Sequence, residues 1–310
     1  HDFSLPEARI EKSCARSGGF SMKFLHKMMA GLPEYRSLRD AIATGSLPAC
    51  AVGLSLVHKA HLIHSLQLER GLPTLVVTGD EIEARRLTDD LNAMAGEDLA
   101  VLYPYREFSF RDVESSREYE HGRLTALGRL IAGRARIVVA SAVAAAQYTI
   151  PPDVLREMTA VLHPADTVDI DALALRLTRS GYERRPQVEG IGQFSIRGGI
   201  VDFFPPTLPD PVRIEFWGDE IDTISTFKIE TQRREDTVKS VDITPAAEVV
   251  ADSPKRLLKL LEKAIPGIRG TQGKLAKEKL RQEMEKIEGG VMPQSLDRFL
   301  PLVYPEPATI

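Results

Sequence analysis

The period of the apolar positions changes along the chain. From Glu34 to Thr44, Leu38, Ile42 and their neighbours recur at helical spacing. Val57 to Arg70 does the same, with Leu62, Ile63 and Leu66 on one face. Short apolar runs alternate with these stretches. Pro48–Leu54, Leu72–Thr78 ("LPTLVVT"), Leu99–Leu102 and Ala135–Ser141 ("ARIVVAS") predict four strands, the second of them buried. Asp80 is placed to cap a helix running to about Ala95, and Ser116–Ala132 predicts a long helix stopped by Gly133. Strands alternating with helices imply right-handed crossovers and a mostly parallel sheet. This is the layout of a nucleotide-binding α/β lobe.

Pro151 and Pro152 mark a change. A helix is expected from Asp166 to Ser180, closed by Gly181, and from Tyr182 the period becomes two. "QFSIRGGIVDFFPP", "PVRIEFWGDEIDTISTF" and "VKSVDITPA" alternate apolar and polar residues between Gly, Pro and Asp turns, which predicts an antiparallel, inserted α+β unit. Ser253–Ala264 and Lys274–Glu288 return to helix, the second charged enough that most of it faces water. The expected organisation is a leader or disordered extension over 1–28, with Met22 or Met29 as a natural beginning. A first lobe over 29–150, an α+β insert over 151–246 and a return to the first lobe over 247–310 follow, the whole being the front part of a longer protein.

Composition narrows the classes. The chain has 310 residues, is 43% hydrophobic and 27% charged, and carries a net charge of −4. These values suit a globular protein of about two domains and argue against a strongly basic, autonomous DNA binder. Cys14 and Cys50 are too few for a disulfide scaffold or a cysteine zinc site and fit a reducing cytoplasm. No apolar run reaches the roughly 20 residues of a membrane span.

One stretch looks like a phosphate-binding loop that has lost its parts. In the frame G-x-x-x-x-G-K-[ST], Gly53 and Lys59 stand, His58 replaces the second glycine and Ala60 replaces the hydroxyl residue. Such a loop aims backbone N–H groups at phosphates and holds magnesium through the hydroxyl. A ring at His58 crowds the turn and a methyl at Ala60 cannot bind the metal, so a structural remnant is expected rather than an ATP site. His58, His61 and His64 fall at three-residue spacing, but no local carboxylate or thiol completes a metal set. They are read as half-exposed helix residues.

The stretch "YERRPQVEGIGQFSIRGGIVDFFPPTLPDPVRIEFWGDEIDTISTFKIETQRR" resembles the second domain of UvrB and, more closely, the matching domain of the transcription-repair coupling factor family. "YPYREFSFRDVESSREYEHGRLTALGRLIAGRARIVVASAVA" is similar to the first lobe of that family. The resemblance implies a RecA-like parallel-sheet lobe with a degenerate phosphate loop, plus a UvrB-like α+β insert with an antiparallel sheet. It also implies a non-catalytic module that recruits UvrA. The longer protein would bind RNA polymerase and double-stranded DNA and translocate with ATP and magnesium. UvrB itself needs an intact loop and a tyrosine-rich hairpin, for which Tyr103 and Tyr105, read in a short connection, leave no room. The alternative is a UvrB-like ATPase or helicase half-domain with residual nucleotide or DNA binding.

By the same resemblance, the UvrA contact falls on Arg184, Arg197 and Glu215, with Arg213 and Arg185 as weaker candidates. Ser195 stands where UvrB commonly has another arginine. Alternation along a strand turns Arg197 away from the core of Phe194 and Ile196, and separately places Arg213 and Glu215 on one common face. Arginine suits such a role because its planar fork pairs carboxylates at two points. Trp217 is read as a sheet-core residue rather than an interface anchor.

Overall fold

The computed structural model describes residues 23–96, 98–106, 117–251, 253–290 and 296–310. Cys14 lies outside them. The first part of the chain forms α1 (Lys23–Ala30), α2 (Pro33–Thr44), α3 (Leu56–Arg70), β1 (Thr74–Thr78), α4 (Glu81–Ala95), β2 (Ala100–Tyr103), α5 (Glu118–Ile131), β3 (Ile137–Ser141) and the short α6 (Ala142–Ala146). Helix limits follow local chemistry. Asp80 accepts from Glu83 N at 2.8 Å to start α4, and Gly71 and Gly96 end α3 and α4 in the left-handed region.

The three strands form one parallel sheet in the order β1-β3-β2. Central β3 is buried along its whole length. Ile137 and Val139 face Ala60, Leu87 and Leu91 of α3 and α4, and Val138 and Ala140 face the opposite core.

Four expectations need correction here. Pro48–Leu54 is not a strand: Pro48 to Gly53 are exposed and pair with no neighbouring strand. β1 is not buried on both faces, because it is the edge of its sheet and leaves Leu75 and Val77 open. The expected extension to residue 28 overlaps α1, which lies against α2 and α3. Tyr103 also ends β2, fully buried beneath the Arg123 guanidinium at 4.2 Å, rather than sitting in a connection.

The second part comprises α7 (Pro152–Met158), β4 (Ala160–Leu162), α8 (Ile170–Arg179), β5 (Glu183–Arg184), β6 (Gln193–Arg197), β7 (Ile200–Phe203), β8 (Val212–Trp217), β9 (Glu220–Phe227), β10 (Arg234–Thr237) and β11 (Val241–Ile243). α8 starts later than expected because Thr167 bridges Glu220, and Asp169 caps the helix by accepting from Ala172 N at 2.7 Å. The main sheet runs β10-β9-β8-β7-β6-β5, antiparallel except for β5 beside β6. β11 pairs with β4 in a separate ribbon. One face of the large sheet buries Phe194, Val201, Phe203, Val212, Ile214 and Ile224 with Leu173 and Leu177 of α8.

The chain then returns. α9 (Pro254–Ala264), α10 (Gly273–Glu288) and α11 (Leu300–Val303) bring Leu257, Leu261, Ile287, Leu300 and Val303 into the core that holds Val101, Tyr103 and Val138. A buried ionic knot marks the junction. Glu248, fully buried, accepts from Arg123 at 2.9 and 3.1 Å and also from Arg106 and Thr149. Its own N–H donates to Glu120 at 2.8 Å. Arg117 donates to Ala246 O, Thr125 to Pro206 O, and Arg134 pairs with Asp242, so α5 and the connection from α5 to β3 hold the insert to the first lobe.

Candidate functional site

The stretch from Gly53 to Ala60 leads into the start of α3. Gly53 has φ +77°, Ser55 caps α3, and the histidine in the glycine position, His58, is exposed. Lys59 Nζ lies 2.8 Å from Glu83 Oε1, and this hydrogen bond holds the Glu83 carboxyl below its ordinary range. Ala60 is fully buried against α4, so its methyl is core. Gly53, Lys59, Thr78, Gly79 and Glu83 line a cavity of about 480 Å³. Lys59 is thus already paired from α4, and the Glu83 carboxylate lines the same cavity. Sequence reading missed Glu83, whose spacing from Asp80 reads simply as the start of a helix.

The three helical histidines are not alike. His58 is exposed and His61 half-buried, but His64 is buried, which corrects the half-exposed reading. Burial, with His61 and His26 nearby, pushes the His64 pKa down. Among the described residues no group of three or more His, Cys, Asp or Glu stands where it could hold a metal ion. Cys50 is free and exposed.

A different surface is built on the large sheet, on the face turned away from α8. Strand register lays its side chains in two rows. One is Ser195, Asp202, Arg213 and Ser225; the next is Arg197, Ile200, Glu215 and Thr223. Asp202, fully buried, is the hub: it accepts from Arg213 Nε at 2.7 Å and Nη2 at 2.9 Å, and from Arg197 Nη2 at 2.6 Å. Arg213 also donates to Gln232 O, and its guanidinium lies 4.8 Å over the buried ring of Phe227. Glu215 pairs with Arg234, whose hydrogen bond lowers the carboxyl pKa. Val188, Phe204, Phe227 and Ile229 cluster over part of this face. They cover the row of Asp202 and leave the row of Arg197 towards solvent.

The candidate residues therefore separate. Arg197, Arg213 and Glu215 share the face, with Arg213 the deepest. Arg184 does not join them: it is in register with Phe194, on the opposite face at the sheet edge. Arg185 falls on the side of Arg197 and pairs with Glu183 at 2.8 Å. Ser195 is buried and its hydroxyl has no hydrogen-bond partner among the described residues, so it offers no outward contact. Trp217 corrects its expected place in the core: it is 85% exposed. Asp202 and Arg234 were missed. Asp202 had a signal, a lone carboxylate at an outward position of "IVDFF"; Arg234 had none.

This sheet, with its helix-backed core and charged outer face, is the feature the comparisons address. Residues 161–248 match the family described as the UvrB interaction domain. Over most of its length it is homologous to the transcription-repair-coupling factors. It is 30% identical to that of Bacillus subtilis (strain 168) over 286 residues, 89% of this chain and 24% of the relative. Against the Myxococcus xanthus factor the identity is 31% over 259 residues, 80% and 21% of the two chains. For the Haemophilus influenzae factor it is 29% over 237 residues, 76% and 20%. The chain spans about a quarter of the length of these relatives. No helix among the described residues is long and apolar enough to cross a membrane.

Proposed function

We propose that the chain is the UvrB-mimicking module of a transcription-repair coupling factor, and that its open sheet face docks UvrA during transcription-coupled nucleotide excision repair. The module performs no chemistry and needs no cofactor. The longer protein would engage RNA polymerase and double-stranded DNA, and ATP and magnesium would serve its motor.

The observation that carries this reading is the unequal sharing of Asp202. Arg213 takes both carboxylate oxygens, whereas Arg197 makes one bond and remains 45% exposed in its side chain. Asp202 stays compensated if Arg197 leaves, so Arg197 can turn to a partner's carboxylate at little cost to the fold. A two-point arginine–carboxylate bond then supplies strength and orientation. Arg213, held by Asp202 and Phe227, positions the face. Arg184, on the edge strand, contributes only if the partner wraps that edge.

UvrA captured by the full chain tests this. Arg197→Ala is expected to weaken capture by about tenfold, the loss of a charge-assisted contact, with an unchanged melting temperature. Arg184→Ala is expected to lose less. Capture undiminished in Arg197→Ala would reject the face.

The rival reading, an ATPase or helicase half-domain, has the cavity beside Lys59 in its favour. Against it stand the Lys59–Glu83 pair, the core position of Ala60 and the missing strand before the loop.

A further inference from the structure

We propose that the paired helices α9 and α10 hold the phosphate backbone of duplex DNA, through a row of lysines on the outer face of α9 and a second basic row on α10. The choice of DNA over other polyanions rests on the repair reading above. The surface itself is read from charge and spacing.

Charge is segregated along the chain. Its net charge is −4, yet between Pro254 and Glu288 stand ten Lys and Arg against five Glu. This stretch is positive while the remainder of the chain is acidic, so a polyanion repelled elsewhere can approach here.

α9 is built to present that charge. Ser253 caps the helix by accepting from Arg256 N at 3.2 Å, and Pro254 takes its first position. Leu257 and Leu261, fully buried, fix one face in the core. Lys255, Lys259 and Lys263 recur every fourth residue on the opposite face, and all three are exposed. Each step of four residues rises about 6 Å, so the row spans about 12 Å.

α10 lies against α9 and adds a second row. Leu280, Met284 and Ile287 pack on the core, while Lys274, Lys277 and Arg281 follow one another along a flank of the helix. Among the described residues none of these six cations has an ion-pair partner, whereas Glu283 is taken up by Lys286 and Arg298. Glu262 and Glu278 lower the charge of the two rows without pairing with it.

The side chains select the occupant. Lysine acts on phosphate as a point charge and is depleted in protein–protein interfaces. Neither helix carries an aromatic residue, so neither offers a platform for stacking unpaired bases. Leu275 is the one large apolar side chain of the two helices left exposed, too little to enter a lipid surface. A duplex presents one charge per roughly 1.7 Å of its axis, which supplies several phosphates along a row of this length. Contacts of this kind fix position and read no sequence.

The test titrates the full chain into a fluorescein-labelled DNA duplex of mixed sequence, over a range of salt from about 50 mM upward. Two triple variants are compared with the wild type. One carries Lys255→Gln, Lys259→Gln and Lys263→Gln; the other carries Lys274→Gln, Lys277→Gln and Arg281→Gln. For the wild type, log affinity should fall against log salt with a slope of about −5, the value for six phosphate contacts. Either triple variant should show a slope of about −3 and lose tenfold or more in affinity. Melting temperatures and UvrA capture should match the wild type, and Arg197→Ala should bind DNA undiminished. No duplex binding by the wild type at the lowest salt, or unchanged affinity and slope in either triple variant, would overturn the two-row surface. Tighter binding of duplex RNA or of anionic vesicles than of DNA would overturn the assignment of its occupant. DNA binding without UvrA capture would bring down the docking reading and leave this surface standing.

Discussion

Glu248→Ala is expected to destabilise the chain by about 3–5 kcal/mol, the magnitude for removing one partner of a buried ion pair. Glu248 is fully buried and answers Arg106, Arg123 and Thr149 together. Arg123 is also fully buried, over the ring of Tyr103. Without the carboxylate, two guanidinium groups remain in the interior, Arg123 on the carbonyls of Pro104 and Tyr148 and Arg106 beside Asp297. The loss should appear in thermal melts as a lowered midpoint shared by the first lobe and the insert, since Glu248 sits where they meet.

The effect has a pH signature. Burial alone would raise the Glu248 pKa, but Arg123, Arg106 and their hydrogen bonds outweigh it and hold it below the usual carboxylate range. A carboxyl depressed in the fold contributes its stability above the unfolded pKa, about 4.3, and loses it as pH falls towards the folded value. The gap between wild type and Glu248→Ala should therefore be full at pH 7 and narrow below about pH 4.3. A constant gap down to pH 3 would show that packing, not charge, sets the effect.

Asp202→Ala is the second large effect, about 3 kcal/mol by the same reasoning. It strands Arg213, whose side chain is mostly buried over Phe227, and frees Arg197 entirely. The expected pattern is lowered stability with the insert unfolding first, read by hydrogen exchange in β6 to β9. Arg197→Ala should change stability by less than about 1 kcal/mol, as for an exposed pair. Equal losses in the two variants would mean that Arg197 is structural and not available to a partner.

Much of this was legible in the residues. Alternation in "QFSIR" placed Arg197 outward and alternation in "VRIEFW" placed Arg213 and Glu215 on one face, and the sheet register agrees with both. The run "ARIVVAS" marked a strand, and its middle is apolar throughout because both faces of β3 are covered. The failures have physical causes. Pro48–Leu54 has apolar composition, but a strand also needs a pairing edge, which no local pattern reports. Leu75 and Val77 look like core residues until β1 proves to be an edge. Trp217 was expected in the core because tryptophans on sheets are more commonly buried, whereas alternation from Ile214 already set it outward. Arg184 was grouped with Arg197 by resemblance, and only the parallel pairing of β5 with β6 separates them. Glu83, Arg234 and the Glu248 knot depend on contacts between distant segments, 24 residues apart for Lys59 and Glu83 and 125 for Arg123 and Glu248.

Hydrogen exchange of the chain with and without UvrA is the most direct measurement. Protection should appear at the Gly198–Gly199 and Gly218–Asp219 turns, which flank Arg197 and Trp217, and the loop from Gly53 to Ala60 should be unchanged. Protection confined to the first lobe, with both turns exchanging as in the free chain, would contradict the assignment of the docking face.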